Sequence, residues 1–181
     1  MKDPLEALAS KAREPRNYDS PPLHLWNPPL SGDIPIRIDN QGDWHHDGSK
    51  IKRESLVRLF ASILRREEDG DYYLLTPAEK WRIEVEDHAL RINDIAARTV
   101  DDVQILEAEL NTGKKVIISE EHSLFIDDAA GGVAALNLDH GLTALCTRPA
   151  WYRLVDLADL QDELAVWTSG DYTLKTRIEL P

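Results

Sequence analysis

The chain has 181 residues, 42% hydrophobic and 30% charged, enough for a real core in one ordinary domain or two small ones. Its formal net charge of -12 repels polyanions, so a nucleic-acid polymer and an anionic membrane surface are disfavoured, whereas a local basic cluster can still hold a small anion. The lone Cys146 allows no internal disulfide and no Cys-based zinc site, and reads as a small buried hydrophobe.

From the N-terminus, Leu5 to Arg13 is a candidate short helix, without the apolar core of a signal peptide. No window of the chain reaches membrane-spanning length, so the expected location is cytoplasmic. Pro4, Pro15, Pro21, Pro22, Pro28 and Pro29 favour extended backbone. Leu23, Leu25, Trp26 and Leu30 are too apolar for a free tail, so residues 1–33 read as an arm docked on the body through Trp26. Ile34, Ile36 and Ile38 alternate as in a strand, Asn40 to Asp43 is a turn, and Trp44, His45 and His46 begin the return strand. Leu56, Val57, Phe60, Ile63 and Leu64 recur at helical spacing. Arg65 and Arg66 suit the negative end of that helix, and Asp69-Gly70 stops it. Tyr72 to Thr76 is a strand closed by Pro77, completing a first α+β lobe over 34–78.

The second, larger α+β lobe covers 79–181. Trp81, Ile83 and Val85 alternate, and Leu90-Ile92, Val103 to Leu106 and Val116 to Ile118 supply further strands, with Thr112-Gly113 as a hairpin turn. Asp127 to Gly132 is a turn and Ala135 to Leu138 a strand. Thr147 has N-cap chemistry and Pro149 fits the first turn of a second helix, whose Trp151, Leu154, Val155 and Ala158 share a face. Leu164 to Thr168 and Tyr172 to Thr176 are strands flanking Ser169-Gly170.

A pattern recurs in the two lobes. Arg53, Leu56, Val57, Arg58, Leu59 and Phe60 match Arg148, Trp151, Tyr152, Arg153, Leu154 and Val155 in order. Gly70-Asp-Tyr-Tyr-Leu74 then matches Gly170-Asp-Tyr-Thr-Leu174, and a glycine turn, Gly48 or Gly141, precedes each helix. Two such copies make two similar lobes sharing a strand-turn-helix-turn-strand motif, and a groove between lobes is a usual place for a ligand.

Lys50, Lys52 and Arg53 fall at the N-terminal end of the first helix, where the helix dipole prefers anions. A bound phosphate or carboxylate would resolve that conflict, and Arg148 holds the matching place in the second copy. The plainer reading is solvated side chains paired with Glu54 and nearby Asp. Trp44 and Trp167 are candidates to stack on a flat ligand, against the commoner fate of a strand Trp as core. Lys80 is a further candidate anion contact, or a surface charge pair. His46 and Ser169 complete the candidate ligand-binding set.

No metal site is expected, because His45 and His46 point to opposite faces of a strand and the other histidines lack ligand spacing. No Gly-x-Ser-x-Gly elbow and no phosphate loop appears, so no catalytic residue is assigned. Glu84, Glu86 and Asp87 read as a solvated strand face.

Taken in order, Asn27-Pro-Pro-Leu-Ser-Gly-Asp-Ile34, Trp44, Gly48, Ile51, Arg53, Leu56-Val-Arg-Leu-Phe60, Tyr72-Tyr-Leu-Leu-Thr-Pro77, Glu79-Lys80 and Val85-Glu-Asp87 carry a resemblance. Gly141-Leu, Arg148, Trp151-Tyr152, Leu154-Val155 and Val166-Trp-Thr-Ser-Gly170 extend it to the C-terminus. The chain resembles a bacterial family of uncharacterised proteins, the domain-of-unknown-function family 1285. The resemblance implies two α+β lobes, the second a strongly bent sheet or partial barrel with one helix, superficially pleckstrin-homology-like. It also implies a site for a nucleotide-like ligand between the lobes and a signalling role. The chain departs from the pattern at His46, where an aromatic is usual, at Lys50, where proline is common, and at Ala89-Leu90, where Pro-Phe is expected.

The expected function is a cytoplasmic sensor or binding module for a small anionic ligand, with a possible signalling protein as partner. The alternatives are a protein-interaction adaptor with no small ligand, or a hydrolase with two carboxylates, or a His and a carboxylate, in the ligand groove.

Overall fold

The structure, a computed structural model, describes residues 3–13 and 20–179. Pro15 of the arm therefore lies outside the described residues. The chain divides into two compact units, one running to Ala89 and including His140–Leu142, the other comprising Leu90–Asp139 and the chain from Thr143.

The first unit holds helix α1 (Pro4–Arg13), strands β1 (Leu30–Ile38), β2 (Trp44–His46) and β3 (Ser49–Lys50), helix α2 (Glu54–Ser62), and strands β4 (Leu64–Arg66), β5 (Tyr72–Leu75) and β6 (Lys80–Val85). The strands form one sheet in the order β3-β2-β1-β6-β5-β4, antiparallel except for the parallel pair β1 and β6. That pair is irregular, because Asp33 faces Arg82 and Arg37 faces Glu84, so Ile34-Pro35-Ile36 opposes Ile83 alone. Proline lacks the N–H that a ladder needs, so Pro35 suits this bulge. The core gathers Ile36, Ile38, Trp44, Phe60 and Leu74, all buried.

Of Leu23, Leu25, Trp26 and Leu30, the first and third are buried whereas Leu25 and Leu30 are exposed, and from Leu30 the arm already belongs to β1. α1 packs on α2 and buries Leu5, Leu8, Ala9 and Ala12. Leu23 and Trp26 are buried, and Arg65 donates to both of their carbonyls at 2.9 Å.

Two sequence expectations change here. Leu64 to Arg66 is not the end of the helix; it is strand β4, which pairs Leu64 with Leu74 and Arg66 with Tyr72. The run Ile63-Leu64 satisfies a helical or a strand period equally, and the hairpin closing at Gly70 (φ 86°) supplies the ladder that decides it. The boundary between the units falls after Ala89 rather than after residue 78, because β6 lies inside the first sheet between β1 and β5.

The second unit begins with a long hairpin of β7 (Leu90–Val100) and β8 (Val103–Leu110). β9 (Lys115–Ile117), β10 (Leu124–Asp127), β11 (Val133–Asn137) and β12 (Thr143–Cys146) complete a sheet ordered β10-β11-β12-β7-β8-β9, with β12 and β7 parallel. Helix α3 (Arg148–Asp156) lies on β7 and β12. A three-stranded antiparallel sheet follows: β13 (Asp159–Gln161), β14 (Leu164–Ser169) and β15 (Tyr172–Thr176). Both strand orders are open, so no barrel closes among the described residues. Thr147 caps α3 as its chemistry requires, accepting from the Ala150 N–H. Cys146 is buried, and burial pushes its thiol up to about 12.

The shared motif is visible in both units. Gly70-Asp71 leads into β5 at Tyr72, and Gly170-Asp171 leads into β15 at Tyr172. The copies differ in that β13 and a turn at Asp162-Glu163 intervene after α3.

Candidate functional site

The basic cluster forms where β3 passes into α2. The Ile51 N–H donates to Trp44 O at 2.8 Å and ties this passage to β2. Arg53 is the N-cap residue, in extended conformation and without a side-chain capping bond. Its guanidinium pairs with Glu6 of α1. Lys50 pairs with Asp43 at 2.7 Å. Lys52 is exposed and has no ion-pair partner among the described residues. Beside them His45 Nε2 lies 2.7 Å from Asp39. Burial raises the Asp39 carboxyl, but His45 and the N–H groups of Asp43 and Gln41 outweigh it and hold the carboxyl below its ordinary value.

The other candidate side chains pack or pair with neighbours of their own. Trp44 and Trp167 are each only 1% exposed. Trp44 packs on Phe60, with centroids 6.2 Å apart, and its Nε1 has no hydrogen-bond partner. Trp167 packs on Trp151 and donates from Nε1 to Leu154 O at 2.7 Å. Neither ring offers a face to a flat ligand, so the stacking expectation gives way to core packing. Ser169 is buried, and its Oγ accepts the Leu106 N–H at 3.0 Å, which makes it a bridge from β14 to β8. Lys80 donates to Glu67 at 3.0 Å and sits 4.6 Å over the Tyr73 ring. Arg148 belongs to the second unit, where it lies over Tyr152 of its own helix and donates to the phenol oxygen. His46 is half-buried, with Nε2 3.5 Å from Asp47.

A groove of about 910 Å³ runs across the sheet of the first unit at the β1 bulge. Ile34, Pro35 and Tyr72 contribute apolar surface to it. Five carboxylates (Asp33, Asp47, Asp71, Glu84 and Glu86) line it against two guanidiniums (Arg37 and Arg82). Arg82 grips both oxygens of Asp33, at 2.8 and 3.2 Å, and reaches Asp71 at 3.4 Å. Arg37 pairs with Glu86. Glu84 is exposed and has no ion-pair partner among the described residues.

Sequence reasoning missed this groove. The signal it offered was the period-two set Arg82, Glu84 and Glu86, which places three charges on one face. The bulge that opens the groove left no signal beyond Pro35. His-carboxylate pairs of the kind a hydrolase needs do occur, His45 with Asp39, His122 with Asp139 at 3.1 Å and His46 with Asp47 at 3.5 Å; of these six residues Asp47 alone lines the groove. Among the described residues, no three His, Cys, Asp or Glu side chains converge as metal ligands.

Two family models match the chain in succession: domain of unknown function DUF1285, N-terminal domain, over residues 21–88, and the DUF1285 C-terminal domain over residues 89–173. The junction of the two models coincides within a residue with the boundary between the structural units. A crystal structure of a DUF1285 family protein from Silicibacter pomeroyi DSS-3 is 34% identical, covers 98% of this chain and 97% of its own, and superposes with a TM-score of 0.83. The chain belongs to the DUF1285 family. A second DUF1285 structure, from Shewanella baltica OS155, is 29% identical over 68% of this chain and 91% of its own, with a TM-score of 0.57. No curated protein matches this DUF1285 chain. No helix among its described residues is long and apolar enough to cross a membrane.

Proposed function

We propose that this DUF1285 protein is a cytoplasmic binding module that senses a small anionic, nucleotide-like ligand in signalling. The observation that carries the reading is the N-terminal end of α2. Its cap residue is a cation, no side-chain oxygen serves as the cap, and Lys50 and Lys52 stand beside it. The positive end of the helix dipole disfavours these cations; Asp43 and Glu6 offset Lys50 and Arg53 and Glu54 stands in the first turn, and an anion adds to that relief beside Lys52. A carboxylate already rests there, since Glu6 pairs with Arg53. That pair is half-exposed, so a phosphate can displace it at little cost.

Thermal-shift titration with inorganic pyrophosphate and nucleotides tests this. A ligand at a hundredfold excess over its Kd adds about 2.7 kcal/mol, a rise of several degrees, and Lys52→Glu should abolish that rise. If none of these anions raises the melting temperature at millimolar concentration, the reading fails.

A second reading, a protein-interaction adaptor, draws support from the acidic groove, whose five carboxylates outnumber its two guanidiniums and suit a cationic partner better than an anion.

A further inference from the structure

The groove in the first unit has a shape and a charge that together specify an occupant. It reaches from the Asp47-Gly48 turn, across β1 and β6, to the Gly70-Asp71 turn. Four strands lie along that path, β2, β1, β6 and β5, so it spans roughly 14 Å, about four extended residues. Its charge is one-sided. Arg82 is consumed by Asp33 and Asp71, and Arg37 by Glu86. Glu84 remains without a partner, and the side chain of Asp47 is 70% exposed. Ile34 and Pro35 lie in the same groove as the unpaired Glu84 and as Asp47, whose pairing with His46 at 3.5 Å leaves it largely exposed.

We propose that this groove docks an extended, arginine-rich segment of a protein partner. The aliphatic stems of arginine cover Ile34 and Pro35, while the guanidiniums reach Glu84 and Asp47. Arginine is preferred to lysine because its planar fork binds a carboxylate through two parallel hydrogen bonds. The inference gives the adaptor reading a partner chemistry. It uses other residues and the opposite charge from the α2 end, so either can fail alone.

The test is fluorescence anisotropy of labelled tetra-arginine amide with the full chain at low salt. Saturable binding is expected, with Glu84→Lys and Asp47→Lys each weakening it about tenfold while circular dichroism is unchanged. Glu109→Lys, an exposed change of equal charge in the second unit, should change the affinity by less than about twofold. The proposal is overturned if tetra-arginine shows no saturable binding at millimolar concentration, or if Glu84→Lys acts no more strongly than Glu109→Lys. It is also overturned if spermidine binds as tightly with the same Glu84 dependence, since the groove would then be a polyamine site.

Discussion

Replacing Ser169 by Ala separates a structural hydroxyl from a ligand contact. β9 ends at Ile117, and just beyond it the Ile118 N–H still donates to Leu106 O. The N–H of Leu106 itself goes to Ser169 Oγ, so the β14–β15 turn stands in for a strand at the end of the ladder. The Gly170 N–H to Gln104 O bond at 2.8 Å and the Gln104 side chain to Thr168 O bond at 3.0 Å continue the seam. Alanine removes the acceptor and leaves a buried N–H facing a methyl group. Leu106 is fully buried and the two flanking bonds hold the seam shut, so water cannot easily replace the lost oxygen. An unsatisfied buried donor costs about 1–3 kcal/mol, and the constrained seam argues for the upper half of that range. For a chain of this size each kcal/mol lowers the melting temperature by roughly 2–4 °C. Urea unfolding followed by tryptophan fluorescence should show a lower midpoint with an unchanged slope. A loss below about 0.5 kcal/mol would refute the reasoning, because it would mean that the Leu106 N–H finds another acceptor.

Gly141→Ala should destabilise by more than about 1 kcal/mol, since a Cβ there would stand 2.8 Å from Arg66 O at a φ of +71°. Gly131→Ala, with positive φ but open space, should cost less in the same denaturation assay. Acid should also destabilise the fold. Burial raises the Glu67 carboxyl, but Arg65 and Lys80 outweigh it, so Glu67, like Asp39, titrates below its ordinary value. Ionisation is therefore favoured in the folded state, and the stability it confers is present above the ordinary values of 4.5 and 3.8 and lost as pH falls through the lower native ones. Glu67→Gln should flatten that acid limb in pH-dependent melting; an unchanged limb would exclude Glu67 as a contributor.

Much of the fold was legible because local chemistry agreed with tertiary demand. The Thr147 cap, the apolar faces of α2 and α3, and the Gly70 and Gly170 turns each announced themselves by spacing. The β7–β8 turn did not, because it is built from Asp101 and Asp102, both at positive φ, where glycine or asparagine is the usual signal. β4 was hidden because Ile63-Leu64 reads equally well as helix. The site was harder still. Trp44 and Trp167 have the composition of stacking platforms, but only packing decides whether a ring is covered. Arg82 looks like a surface cation, and nothing local reveals that Asp33, far off in the sequence, claims it.

The repeat sharpens the anion reading by failing at one point. Arg53 and Arg148 hold matching places, yet their helices begin differently. α3 is capped by Thr147, so part of its N-terminal donor demand is already met, and Arg148 turns along its own helix to Tyr152. α2 has a cation in the cap position, no side-chain oxygen in its place, and a carboxylate borrowed from α1. α2 therefore lacks the side-chain acceptor that α3 has, although Glu54 puts a negative charge in its first turn where α3 has none, so the uncapped N–H groups are what a ligand at α2 would meet. Neutralising Arg53 should accordingly weaken pyrophosphate binding in the thermal-shift assay, while neutralising Arg148 should leave it unchanged. Equal effects would mean that the repeat, and not the missing cap, governs the ligand.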